Sequence, residues 1–115
     1  MKSTIMIKSS REFTKTIKRG KSVADKYLII YIIPNNIKIN KIGISIGKKV
    51  GKSVTRNHVK RLIKESYRPI EGNTKIGFNI VFIPREPSAE ARLCDIKNSI
   101  QKLLRKLDLL DKEVI

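Results

Sequence analysis

Gly47-Lys48-Lys49-Val50-Gly51-Lys52-Ser53 comes within one position of a phosphate-binding loop, and it is the first place in this chain to look for chemistry. A nucleotide-hydrolase loop needs four residues between its glycines, so that consecutive amides cradle the phosphates. Here there are three, and the apolar run Ile76 to Pro84 lacks the Asp that would hold magnesium. The remaining reactive side chains are sparse. His58 is the only histidine, with neither a partner to make it a general base nor companions to make it a metal ligand. Cys94 is the only cysteine, which excludes an internal disulfide and a cysteine-based metal site. No carboxylate pair, nucleophile–base set or ligand cluster stands out, so the polypeptide is expected to carry no catalytic residue and to hold no metal itself.

What the chain has in quantity is positive charge. It carries 26 Lys and Arg against 10 Asp and Glu, a net charge of +16 over 115 residues. From Lys26 to Lys64 there is no acid at all, and between Lys38 and Arg68 ten Lys or Arg stand against Glu65 alone. Like charges repel in a compact state, so soluble surfaces ordinarily mix both signs. A one-signed stretch points to a polyanionic partner, RNA or DNA before an anionic membrane surface or mere solubility. Arg suits bidentate phosphate contact, Lys gives a point charge, and Asn57 offers both a donor and an acceptor. A helix-turn-helix reading for duplex DNA is weaker, because the basic helix follows a strand rather than a partner helix and a short turn.

The elements that must position these groups are legible from periodicity. Ser9 or Ser10 caps a short helix over Arg11 to Lys18, with Phe13 and Ile17 four apart on one face, and Gly20 stops it. Tyr27 to Ile33 reads as a strand entering the turn Pro34-Asn35-Asn36. Ile37 to Gly47 reads as another strand whose alternation slips, which predicts a bulge or break near Asn40 to Ile42. Its face of Gly43, Ser45 and Gly47 is nearly bare, open to close approach by a helix or an RNA backbone.

Ser53 is the expected cap of a helix running to about Tyr67, closed by Arg68-Pro69. On it Val59, Leu62, Ile63 and Ser66 share one arc, while Arg56, Asn57, Lys60, Arg61, Lys64 and Arg68 share another, and the arcs do not overlap. Ile76 to Pro84 reads as a central strand covered on both faces. Pro87 and Ser88 are expected to open a last helix with Leu93, Ile96, Ile100, Leu103, Leu104 and Leu107 inward and Cys94 buried. The tail from Asp108, with Asp111 and Glu113, is expected to fray.

The sum is a single α+β domain over residues 1–115, α, β, β, α, β, α, with a small sheet of about four strands and helices mainly on one face. No apolar run approaches the roughly 20 residues of a membrane span, and the start MKSTIMIKSSREF lacks the apolar centre of a secretory signal, so a cytoplasmic protein is expected. Core packing is the default for Phe13, Tyr27 and Tyr31, with stacking on unpaired bases the alternative.

Ile44-Ser45-Ile46-Gly47-Lys48-Lys49-Val50-Gly51-Lys52, followed by Arg56-Asn57-His58-Val59-Lys60-Arg61-Leu62-Ile63-Lys64, resembles the protein subunit of bacterial ribonuclease P. Ser10-Arg11-Glu12-Phe13, Gly20-Lys21-Ser22, the strand holding Tyr31 and IVFIPREPSA from Ile80 to Ala89 extend the resemblance along nearly the whole chain, in the family's order. It implies an αβββαβα arrangement with a left-handed βαβ crossover. It also implies the protein component of a ribonucleoprotein endonuclease, in which the RNA subunit uses magnesium to remove the 5′ leader of precursor tRNA. The partners implied are that RNA and the precursor tRNA, with no membrane and no small-molecule substrate. By motif position, Lys48, Lys49, Lys52, Arg56, Asn57, His58, Lys60, Arg61, Lys64 and Arg68 would bind the RNA. Phe13, Ile17 and Tyr31 would line the leader cleft. His58 stands where the family usually has Arg, Gly47 where Ser is common, and Ile17 where an aromatic is frequent. The rival of another class is a structural ribosomal or RNA-chaperone protein.

Overall fold

A computed structural model of the chain describes residues 4–111. Strand β1 (Thr4–Met6) is followed by helix α1 (Ser10–Arg19), then by strands β2 (Lys21–Ala24), β3 (Leu28–Pro34) and β4 (Asn40–Ile44). Helix α2 (Ser53–Tyr67), strand β5 (Phe78–Pro84) and helix α3 (Leu93–Lys106) complete the order. The three consecutive strands implied by the family resemblance are β2, β3 and β4, and β1 is one more. The sheet therefore has five strands, in the order β1-β4-β5-β3-β2. β4 is parallel to both β1 and β5, while β5–β3 and β3–β2 are antiparallel.

Register settles which side chains face which layer. Ile30 pairs with Phe82 and Ile44 with Phe82, whereas Tyr31 and Gly43 both pair with Val81. Strand alternation then puts Leu28, Ile30, Ile32, Ile42, Ile80 and Phe82 on one face. That face packs with Val59, Leu62, Ile63 and Tyr67 of α2 and Ile96, Ile100, Leu103 and Leu104 of α3 in one apolar core. The Tyr67 ring meets Phe82 edge-on, with centroids 6.0 Å apart. Helices α2 and α3 share one face, as expected of helices mainly on one side, and helix α1 lies on the reverse face. The position of α1 explains why Val81 is fully buried although it points away from the main core.

Several local readings change for physical reasons. The expected strand from Ile37 to Gly47 shortens to Asn40–Ile44, because the turn at Asn35 and Asn36 continues to Ile39: Asn36 has φ 62°, and Asn35 accepts from the Ile37 amide and donates to the Ile39 carbonyl. Of the two readings of the phase slip, the break is the one found: β4 begins at Asn40, and Ile37 is exposed. Lys52, not Ser53, is the N-cap of α2, and its side chain makes no capping bond. Pro87 and Ser88 sit in a 3-10 turn (Glu86–Glu90), while α3 starts at Leu93 with the Asp95 carboxylate accepting from the Arg92 amide at 2.9 Å. Cys94 is exposed, because it lies about 200° around the helix from Ile96.

The last change is at the end of the chain. Asp108 adopts φ 60°, and the Leu109 amide donates back to the Leu104 carbonyl at 2.9 Å, a helix-ending turn of the Schellman kind. Leu109 and Leu110 are thereby folded into the core instead of fraying, and the Leu109 carbonyl accepts from the Lys75 amide. Glu113 and the first three residues lie outside the described part.

Candidate nucleic-acid interface

The rotation of α2 is set by its buried stripe. With Val59, Leu62, Ile63, Ser66 and Tyr67 all buried, the opposite side must face outward. Asn57, His58, Lys60, Arg61 and Arg68 are exposed, and Arg56 and Lys64 are half-buried. Lys48 and Lys49 occupy a 3-10 turn (Lys48–Val50) leading to the helix, and Lys52 caps it, all three exposed. Gly51 makes this junction possible: its φ is 152°, and a Cβ there would sit 2.9 Å from the Thr55 side chain. The amides of Val50 and Gly51 donate to the carbonyls of Gly47 and Lys48, so no open phosphate cradle forms. At Gly47 a Cβ would meet only open space.

Arg56, Asn57, Lys60, Arg61, Lys64 and Arg68 thus share the side of α2 opposite its buried stripe, and Lys48, Lys49 and Lys52 adjoin the start of the helix. Among the described residues, the ion pairs are Lys41–Glu12, Arg92–Asp95 and Lys102–Asp25, and none involves Lys48, Lys49, Lys52, Arg56, Lys60, Arg61, Lys64 or Arg68. Beside α2 a groove of about 240 Å³ is lined by Ile44, Ile46, Ser53, Arg56, Asn57 and Lys60. Arg56 Nε is buried there without a partner among the described residues. Cations and an amide around an apolar floor suit phosphate oxygens and nucleotide surface, whereas a hard dication would need oxygen donors.

Phe13, Ile17 and Tyr31 are not part of that surface. Phe13 and Ile17 ride on α1, on the far side of the sheet from α2, and Tyr31 points from β3 to the same far side. All three are half-buried. Phe13 fills the bare face of β4: an added Cβ on Gly43 would lie 2.5 Å from Phe13 Cε2. The close approach foreseen at this face is thus made by a helix side chain. Tyr27 packs against the main core with the Lys26 ammonium 5.4 Å from its ring centre.

Sequence reasoning missed the polar tether beneath α1. Glu12 accepts from Lys41 Nζ at 3.2 Å through both carboxylate oxygens and from Asn79 Nδ2 at 3.0 Å. The Asn79 amide holds the Glu12 carboxyl below the usual carboxylate range, burial opposes this, and Lys41 reinforces it. The local trace was there: Asn79 is the one polar residue inside Phe78–Pro84, on a strand otherwise apolar throughout.

Comparison with known proteins bears on the same residues. A family model described as Ribonuclease P matches residues 1–108. The chain is 48% identical over 104 residues to the "Ribonuclease P protein component" of Clostridioides difficile (strain 630), covering 90% of this chain and 91% of that relative. It is 41% identical over 107 residues to the protein of the same name from Caldanaerobacter subterraneus subsp. tengcongensis, covering 93% and 92%. Among solved structures, the RNase P protein of Staphylococcus aureus superposes with a TM-score of 0.84 at 30% identity, over 92% of this chain and 97% of that one. The RNase P protein from Thermotoga maritima gives 0.80 at 28% identity, over 88% and 96%.

Proposed function

The chain belongs to the ribonuclease P protein family, and from that premise we propose how its two surfaces share the work of tRNA maturation. As the family's protein component it acts in tRNA processing. The α2 surface, from Lys48 to Arg68, lies against the catalytic RNA and screens the repulsion between that RNA and precursor tRNA. Phe13, Ile17 and Tyr31 hold the single-stranded 5′ leader, with ring stacking from Phe13 and Tyr31 and plain apolar contact from Ile17. Phosphodiester hydrolysis belongs to the RNA, whose phosphates hold the magnesium, and no step requires a protein side chain to donate or remove a proton. The holoenzyme works in the cytoplasm, and no described helix is long and apolar enough to cross a membrane.

The observation that carries this reading is the set of cations turned outward by the buried stripe of α2, none of them in an ion pair among the described residues. Solubility does not need it, since interspersed carboxylates would serve as well. A polyanion does need it, because each neutralised phosphate releases condensed counterions. The test is cleavage of precursor tRNA by ribonuclease P RNA at magnesium concentrations too low for the RNA alone. Added protein should restore cleavage; an unchanged rate would refute the assignment of this surface.

A further inference from the structure

We propose that Glu12 is the positioning residue of the leader cleft, clamping α1 to β4 and β5 so that Phe13 and Ile17 stand at a fixed height above the sheet. This rests on Phe13, Ile17 and Tyr31 being the leader-binding residues.

Apolar burial alone does not fix α1. Thr16 is the only fully buried residue of the helix, and Arg11, Lys15, Lys18 and Arg19 face outward. Phe13 and Ile17 keep part of their surface open, as cleft walls must. Apolar contact is non-directional, whereas hydrogen bonds constrain both distance and angle, charge-assisted ones most of all. The directional contacts of α1 converge on Glu12.

Lys41 and Asn79, which both donate to the Glu12 carboxylate, are register partners on neighbouring strands, so one side chain bridges β4 and β5. Asn79 Nδ2 also lies 3.4 Å from Thr16 Oγ1, one helical turn on, and Thr16 Oγ1 donates to the Glu12 carbonyl at 2.9 Å. Behind Asn79, its Oδ1 accepts from Asn35 Nδ2 at 3.1 Å, and Asn35 in turn donates to the Ile39 carbonyl. The clamp is therefore continuous from the β3–β4 turn through two strands to the helix. Two residues along β4 from Lys41, Phe13 rests on Gly43 with no room for a methyl group between them. Glu12 and Phe13 thus fix α1 at two adjacent points of the same strand face. Ile17, four residues after Phe13, moves with it.

The experiment uses reconstituted holoenzyme and compares affinity for leader-bearing precursor tRNA with affinity for mature, leaderless tRNA. Glu12→Gln keeps an acceptor for Asn79 but removes the ion pair, and Lys41→Met removes the same pair from the other side. Both should lower the ratio of the two affinities by roughly tenfold, the scale of one charge-assisted bond. Assembly with the RNA should stay within about twofold. A lowered melting temperature with the ratio intact would reduce Glu12 to a merely structural residue. Tighter leader binding by Glu12→Gln would mean the carboxylate acts by repelling phosphate, which also overturns the proposal. Lys41→Met weakening both ligands equally would make Lys41 a direct phosphate contact instead. Phe13→Ala separates the two readings. If it lowers the ratio while Glu12→Gln and Lys41→Met do not, positioning fails alone; if Phe13→Ala leaves the ratio unchanged, the leader cleft itself is wrong and the proposal falls with it.

Discussion

Arg61 stands fully on the outward side of α2, so its replacement by Ala should spare the fold and act on RNA. Eight cations share this surface (Lys48, Lys49, Lys52, Arg56, Lys60, Arg61, Lys64 and Arg68), and none pairs with a carboxylate among the described residues. If about five to seven meet phosphates, log affinity for ribonuclease P RNA falls against log salt with a slope on the order of −4 to −6. Losing one contact should reduce the magnitude of that slope by about 0.7–0.9. It should also weaken assembly by about 1–3 kcal/mol, the range for a charge-assisted hydrogen bond. The assay is a titration of labelled RNA with protein at fixed magnesium over a series of potassium chloride concentrations. Lys97→Ala is the control, because Lys97 is an exposed cation on α3 and its loss removes the same unit of charge from a total of +16. A general field effect would move both variants equally, whereas a local contact moves Arg61→Ala alone. Thermal melting should place both variants within about 0.5 kcal/mol of the parent. A slope unchanged by Arg61→Ala, or changed as much by Lys97→Ala, would refute the reasoning.

Two further substitutions probe what holds these surfaces in place. Asp25→Asn should cost about 1–3 kcal/mol at pH 7, because the carboxylate accepts from Ser99 Oγ at 2.7 Å, Lys102 Nζ at 3.1 Å and the Tyr27 and Leu28 amides. Burial opposes ionisation of Asp25, but those donors outweigh it and lower its pKa, so the stabilisation is present above the ordinary value of 3.8 and is lost as pH falls from there through the lowered folded-state pKa. Urea unfolding at pH 7 and near pH 3 should show a gap between parent and variant that closes in acid; a gap independent of pH would exclude the carboxylate's charge as its source. Gly43→Ala forces a methyl carbon to within 2.5 Å of the Phe13 ring, so the ring or α1 must shift, at a cost of about 1–3 kcal/mol. Thermal melting together with leader-bearing tRNA binding should both deteriorate, and parental behaviour in both would mean that Phe13 does not rest there.

How much was legible beforehand depended on whether the relevant contacts were local. The inward stripe of α2 repeats every three or four residues, and only one rotation of a helix buries Val59, Leu62 and Ile63 together, so its cationic side could be assigned before any fold was known. The unbroken apolar run of β5 likewise had one solution, a strand covered on both faces. Leu109 and Leu110 were misjudged because their burial depends on a left-handed residue at Asp108, where a glycine would have announced the turn. Ile37 looked like strand because its apolar side chain outweighed the turn chemistry of Asn35 and Asn36 just before it. The proposed cleft residues were harder still. Phe13 and Tyr31 share one side of the sheet only because α1 packs there, and family resemblance rather than periodicity pointed to them. Glu12 and Asn79 are 67 positions apart, beyond any local pattern.

The distribution of acids explains how α2 can remain one-signed in a stable protein. Glu12 fastens α1 to the sheet, Asp25 ties the β2–β3 turn to α3, and Asp95 closes the first turn of α3. Each is held by neighbouring donors at a junction between elements or at a helix end, and none is donated to by a residue of α2. Glu65, the acid that α2 does carry, is exposed and forms none of the ion pairs. Surface ion pairs contribute little to stability, so leaving the α2 cations unpaired costs the fold only mutual repulsion that salt partly screens. The same cations, left free of carboxylate partners, need surrender no protein contact when phosphate arrives. A fold that instead satisfied them internally would have to break those pairs on every assembly, and its affinity for RNA would be lower by that amount.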